Sequence, residues 1–193
     1  MELYPNGNLL NYIIKKSKLK ENEAKALMYQ IFNALEYIHS QGVCHRDLKP
    51  ENIIIDNNGH IRLSDFGLSQ FVDKDNLVST ACGSPCYVSP EVVSGKKYNG
   101  FMADVWSCGV ILYAMVTGFL PWTKKDLKDI FGQIRKGEYK IPRFVSPQCG
   151  NLISLLLTVD PAKRITLEEA KNHTWFNIKS DEDRNTLLSY SLP

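Results

Sequence analysis

The chain has 193 residues, 44% of them hydrophobic and 23% charged, and a net charge of +2. That length fits one domain able to bury a core, and so small a charge excess argues against nucleic acid or a membrane as partner. No secretory or transit segment opens the sequence, and the longest apolar run, residues 110–116, is far shorter than the ~18 residues of a membrane span. The five cysteines (Cys44, Cys82, Cys86, Cys108 and Cys149) contain no Cys-x-x-Cys pair. They support neither a zinc ribbon nor a disulfide framework, and reduced thiols point to the cytoplasm, with the nucleus as the alternative.

In chain order, Lys15, Lys16, Lys18 and Lys20 read as a solvated helix edge. Ala24, Leu27, Met28, Ile31, Leu35 and Ile38 then recur at helical spacing and predict a helix over 21–40. Glu21 and Glu23 suit the positive end of its dipole, and Gly42 is placed to stop it. Two β-branched runs, 53–55 and 61–63, flank Asp56-Asn57-Asn58-Gly59, whose Asn-Gly pair predicts a hairpin. Residues 64–94 are broken by glycine and proline and read as a loop, too long to be idle in a compact domain. The near-continuous apolar stretch 104–117 predicts a helix buried on all sides. Further helices are expected over 126–135 and 151–159, and Thr166-Leu167-Glu168-Glu169 is a capping box opening one more. The fold is therefore mainly α with one small hairpin.

One constellation carries chemistry. His45-Arg46-Asp47-Leu48-Lys49-Pro50-Glu51-Asn52 precedes the hairpin and Asp65-Phe66-Gly67 follows it. Ser89-Pro90-Glu91 and Asp104-Val105-Trp106-Ser107 come later. Any piece alone is a polar turn, but the order of the pieces is specific. The chain resembles the protein kinase family, serine/threonine type, from residue 1 to about 176. Its Cys82-Gly83-Ser84-Pro85 run is most similar to the calcium/calmodulin-dependent and AMP-activated kinase group.

The resemblance implies a kinase C-terminal lobe, a helical bundle with a β-hairpin at the catalytic cleft. It would begin at the hinge and span 1–178, with 179–193 as a polar tail. Neither a glycine-rich phosphate loop nor a lysine-bearing strand lies ahead of Met1, so the N-terminal lobe is expected to be absent and these residues alone to transfer little phosphate. The implied cofactors are ATP and Mg²⁺, and the implied partners are proteins with Ser/Thr hydroxyls and an upstream activating kinase.

Phosphoryl transfer is governed by positioning and charge neutralisation, which explains the residue types. Asp47 would orient the hydroxyl and take its proton, and Lys49 would face the transferring phosphate. Asn52 and Asp65 supply hard oxygens for Mg²⁺. The resemblance makes Arg46 the grip for a phosphate on Thr80, with Lys74 the only other cation between Gly67 and Gly83. It makes Ser84 the bridge between Asp47 and Lys49, a feature of serine/threonine specificity. Met1 matches the gatekeeper position. Glu2 and Tyr4 would meet the adenine edge, and Leu9 and Ile54 would floor the base, backed by Ile111 and Met115. Glu51 lies near the nucleotide and substrate surface, whereas Asn8 stands where relatives preferring basic substrates carry an acid. Glu91 with Arg164, Asp104, and His45 with Phe66 are implied as structural anchors. Ser89, in place of the usual alanine, is a small change. Trp106, Trp122, Trp175, His39 and His173 read as packing residues, and Cys82 and Cys86 as ordinary loop residues. The competing expectation is a catalytically inert lobe that docks substrates or other kinases.

Overall fold

The computed structural model describes residues 7–56, 58–72, 77–95 and 97–176. Met1, Glu2, Tyr4, Lys74 and the 179–193 tail lie outside the described residues. Helix α1, Leu9–Lys16, is opened by Asn8, whose side chain accepts from the Asn11 amide at 3.0 Å. The sequence marks a helix edge at Lys15 and Lys16 without giving the helix a span. Residue 8 thus serves as a helix cap, a role an acid could share. The lysines of this region divide in function: Lys16, in the last turn of α1, pairs with Glu23, and Lys18, beyond its end, lies over the Phe144 ring.

Helix α2 spans Glu21–Ser40, and the chain leaves it through Gly42 at φ 72°. Strand β1, Val43–Cys44, leads into the loop that carries Asp47. Strands β2, Ile53–Ile55, and β3, Ile61–Leu63, pair antiparallel with Ile53 opposite Leu63, so the hairpin lies where the sequence predicts it. Asp56 Oδ1 fastens its turn by accepting from the amides of Asn58 at 2.8 Å and His60 at 2.9 Å.

Residue Gln30 of α2 sets the depth of that hairpin. Its Nε2 donates to the Gly59 carbonyl at 3.1 Å and its Oε1 accepts from the Ile61 amide at 3.0 Å. Replacing Gln30 with alanine is expected to cost about 1–3 kcal/mol, because the partner groups lose their bonds in a partly buried site. A lowered urea midpoint at unchanged slope would report it; an unchanged midpoint would show the hairpin seated by packing alone.

Among the described residues the predicted 64–94 loop holds four short elements: a 3-10 turn, Phe66–Leu68; β4, Gln70–Phe71, which pairs with β1; β5, Leu77–Val78; and helix α3, Pro90–Val93. Strand β6, Tyr98–Asn99, pairs with β5. Helix α4 is Gly100–Thr117, one turn longer than predicted because Asn99 caps it by accepting from the Met102 amide at 3.1 Å. At 18 residues the whole helix, unlike its longest apolar run, is long and apolar enough to cross a membrane. Its surface is spent inside the protein, with 89% of that window buried and with α2 and the later helix Pro147–Leu156 packed against it. It ends at Gly118, whose φ of 80° and position beside the Ser17 carbonyl leave no room for a side chain.

Helix α5 is Leu127–Lys136, with Asp126 at its N-cap. Helix α6 is Pro147–Leu156, earlier than the predicted 151–159: Ser146 caps it, and proline at its first position suits a helix start. Helix α7, Leu167–Lys171, carries the predicted capping box. Trp106, Trp175, Phe32, Leu35, Ile111 and Met115 are buried in one core. Glu21 closes the lobe, accepting from the Ser146 amide at 2.8 Å, the Ser146 hydroxyl at 2.7 Å and Trp175 Nε1 at 2.9 Å.

Candidate active site

Asp104, at 1% exposure, organises the loop between β1 and β2 from below. Its Oδ2 accepts from the His45 amide and its Oδ1 from the Arg46 amide, both at 2.9 Å. His39 Nε2 also lies 2.9 Å from Oδ2, and its ring stacks on Phe101 at 4.5 Å. His39 is therefore more than a packing residue. Nothing in local spacing announces this, since its partner lies 65 positions away. Arg46 takes a positive φ of 67°, and Gly83, at φ 108°, approaches its carbonyl so closely that a Cβ would lie 2.6 Å from the oxygen.

Asp47 sits 8% exposed at the centre of a polar cluster. Lys49 Nζ donates to its Oδ2 at 2.8 Å. The Ser84 amide and hydroxyl donate to its Oδ1 at 2.8 and 2.9 Å. Ser84 Oγ in turn accepts from Lys49 at 2.8 Å, so it bridges the acid and the base. Asn52 Nδ2 donates to the Asp47 carbonyl at 2.9 Å, which orients its amide.

The hairpin returns the chain to this cluster. The amide and hydroxyl of Ser64 donate to the Asn52 carbonyl at 2.9 and 3.1 Å. His45 Nε2 lies 3.0 Å from the Ser64 carbonyl, and its ring meets Phe66 at 4.9 Å. Asp65, between Ser64 and Phe66, is thus anchored on both sides to the loop bearing Asp47. It adopts a left-handed conformation, φ 59°, and its carboxylate is exposed. Asn52 and Asp65 offer one amide and one carboxylate oxygen. That set fits Mg²⁺, which binds through one or two carboxylates with water and substrate phosphates completing the shell.

Burial acts to raise the Asp47 pKa, and the bonds from Lys49 and Ser84 together with the Lys49 charge outweigh it, leaving the pKa lowered. Glu21 is lowered in the same way, its burial outweighed by Ser146 and Trp175. For a depressed carboxylate the stabilisation is complete above the unfolded value, about 3.9 for Asp and 4.3 for Glu, and is lost as pH falls through the lowered folded value. The thermal midpoint is therefore expected to fall as pH drops below about 4. Asp47→Asn should flatten that fall, and identical pH profiles would remove Asp47 from the linkage.

Other candidate residues divide clearly. Arg164 Nη1 and Nη2 grip Glu91 Oε1 and Oε2 at 2.7 and 2.9 Å. Arg46 donates to the Leu68 carbonyl at 2.6 Å, to Gln70 Oε1 at 2.7 Å and to the Thr80 carbonyl at 3.5 Å. Thr80 is also held through that carbonyl by Tyr98 Oη at 3.1 Å. Gln70 and Tyr98 are contributions the sequence reading did not identify. Leu9 requires a correction: it has no exposed surface, because the first turn of α1 drives it into the core with Ile13. It therefore backs the cleft, as Ile111 and Met115 do, while Ile54 keeps partial exposure. Glu51 is exposed beside a groove of about 400 Å³ lined by Ser84, Cys86, Leu10, Ile14 and Phe119.

The sequence pattern described as protein kinase domain matches residues 1–176. The chain belongs to the protein kinase family. Among similar kinases, CBL-interacting protein kinase 24 of Oryza sativa subsp. japonica is 44% identical over 97% of this chain and 43% of its own length. Serine/threonine protein kinase OSK3 of Oryza sativa subsp. indica is 45% identical over 93% of the chain and 35% of its own length. A probable serine/threonine-protein kinase of Dictyostelium discoideum is 45% identical over 91% of the chain and 21% of its length. The chain thus spans less than half the length of each of these kinases. The helical kinase lobe expected from the sequence is the architecture found.

Proposed function

We propose that the chain supplies the catalytic lobe of a serine/threonine protein kinase that transfers the γ-phosphoryl group of ATP to protein hydroxyls. The observation that carries this reading is the Asp47 cluster, a buried carboxylate bonded to Lys49 and Ser84 with Asn52 and Asp65 on the same loop system. Asp47 orients the incoming Ser or Thr hydroxyl and accepts its proton as the new P–O bond forms and the bond to ADP breaks. Lys49 faces the charge developing on the transferred group. Asn52 and Asp65 would hold Mg²⁺, which when bound would supply charge neutralisation to the phosphate oxygens. The substrate chain lies along the groove beside Glu51, Leu10 and Phe119.

Regulation enters through Thr80. A phosphate there would exchange the neutral acceptor Gln70 for a doubly bonded anion on Arg46. An upstream kinase is the implied partner, and the five free thiols suit a reducing cytoplasm.

The test joins the chain behind the small lobe of a relative and measures transfer from labelled ATP to a Ser/Thr peptide with Mg²⁺. Transfer is expected from the fusion and little from the chain alone. A folded fusion that transfers nothing would overturn the catalytic reading in favour of a docking module.

A further inference from the structure

Ser89 occupies the N-cap of α3, where a serine hydroxyl ordinarily accepts a bond from an amide in the first turn. It makes no such bond here. The residue has no exposed surface, and its Oγ is one of two buried side-chain polar atoms without a partner among the described residues, Trp106 Nε1 being the other. A buried hydroxyl that forgoes an available local bond carries an uncompensated desolvation cost, and such groups are ordinarily satisfied by protein or ordered water.

Ser89 also lines a cavity of about 10 Å³ behind the catalytic loop. Room for one water begins at about 10–15 Å³, provided that two to four polar partners surround it. The cavity walls include Asp47 from the catalytic loop and Asp104 and Ser107 from α4. Ser107 Oγ donates to the carbonyls of Tyr87 at 3.0 Å and Ala103 at 3.3 Å, so its lone pairs remain able to accept.

We propose that Ser89 holds a single internal water in this cavity, bridging the start of α3 to α4 and the back of the loop that carries Asp47. The site depends on the hydroxyl that this chain carries immediately before Pro90-Glu91. An alanine there would remove its anchor without enlarging the backbone or straining the turn. The role is structural, and the proposal is independent of whether the lobe transfers phosphate.

Crystal structures of the full chain and of Ser89→Ala, at a resolution that orders internal waters, test it. The parent is expected to show a fully occupied water within hydrogen-bond distance of Ser89 Oγ, and the variant is expected to lose it. Amide exchange at Asp47 and Ser84 should be faster in the variant, because the two segments lose a shared tie. An empty cavity in the parent, a Ser89 hydroxyl bonded directly to a protein carbonyl, or the same water retained in Ser89→Ala would each overturn the proposal.

Discussion

Replacing Arg164 with alanine is expected to destabilise the lobe by about 3–5 kcal/mol, the range for breaking a buried ion pair from one side. The Arg164 side chain is wholly buried and Glu91 is 13% exposed, so the abandoned carboxylate has little water to turn to. The loss extends beyond Glu91. Arg164 also donates to the carbonyls of Met102 at 2.6 Å, Thr158 at 2.9 Å and Val159 at 3.3 Å, and its guanidinium lies 5.1 Å from the Trp106 ring centroid. One side chain thus fastens α3, the first turn of α4 and the connection after α6. Native domains are stable by only about 5–15 kcal/mol, so the variant should unfold at much lower urea. Removing both charges with an apolar pair of similar volume should cost less than Arg164→Ala alone, because no orphaned charge remains. A variant with the parent's midpoint would show that the pair contributes nothing to folding.

Asp47→Asn is expected to lower the phosphotransfer rate of the two-lobe fusion by about 10²–10⁴-fold, the usual contribution of a positioned general base. Asparagine keeps the shape of the side chain and can still accept from Ser84, so the fold should survive. What it loses is the negative charge paired with Lys49 and the capacity to take a proton. The fall should appear in kcat, while the KM for ATP stays near the parent value, because the proposed contact is with the acceptor hydroxyl. A rate equal to the parent's would remove Asp47 from the chemistry.

The parts of this site that can be read along the chain are those whose chemistry is local. Asp47, Lys49 and Asn52 stand within one turn-and-strand segment, and the hairpin that returns Asp65 is announced by an Asn-Gly turn between β-branched runs. The supports of the site are not local. His39 reaches Asp104 across 65 positions, and Gln70 reaches Arg46 across 24. Neither residue type is distinctive without the fold that brings the partners together. Helix α1 escapes prediction because it has only eight residues, barely two turns, fewer than the window over which a helical period declares itself. The start of α6 was hidden by Pro147, which reads as a breaker until Ser146 is recognised as its cap. Leu9 illustrates the opposite error: a residue matched to a binding surface by its place in the motif proves to lie one layer beneath it.

Glu21 has a consequence for how the protein is made. Its carboxylate waits for Ser146, 125 positions downstream, and for the indole of Trp175, 154 positions downstream. At translation rates of about 5–20 residues per second, roughly 8–30 s separate synthesis of the acid from synthesis of its last partner. Throughout that interval α2 is present while the closing indole is not yet made, so the Glu21 carboxylate stays without that partner. Completion of this contact therefore waits on the synthesis of Trp175.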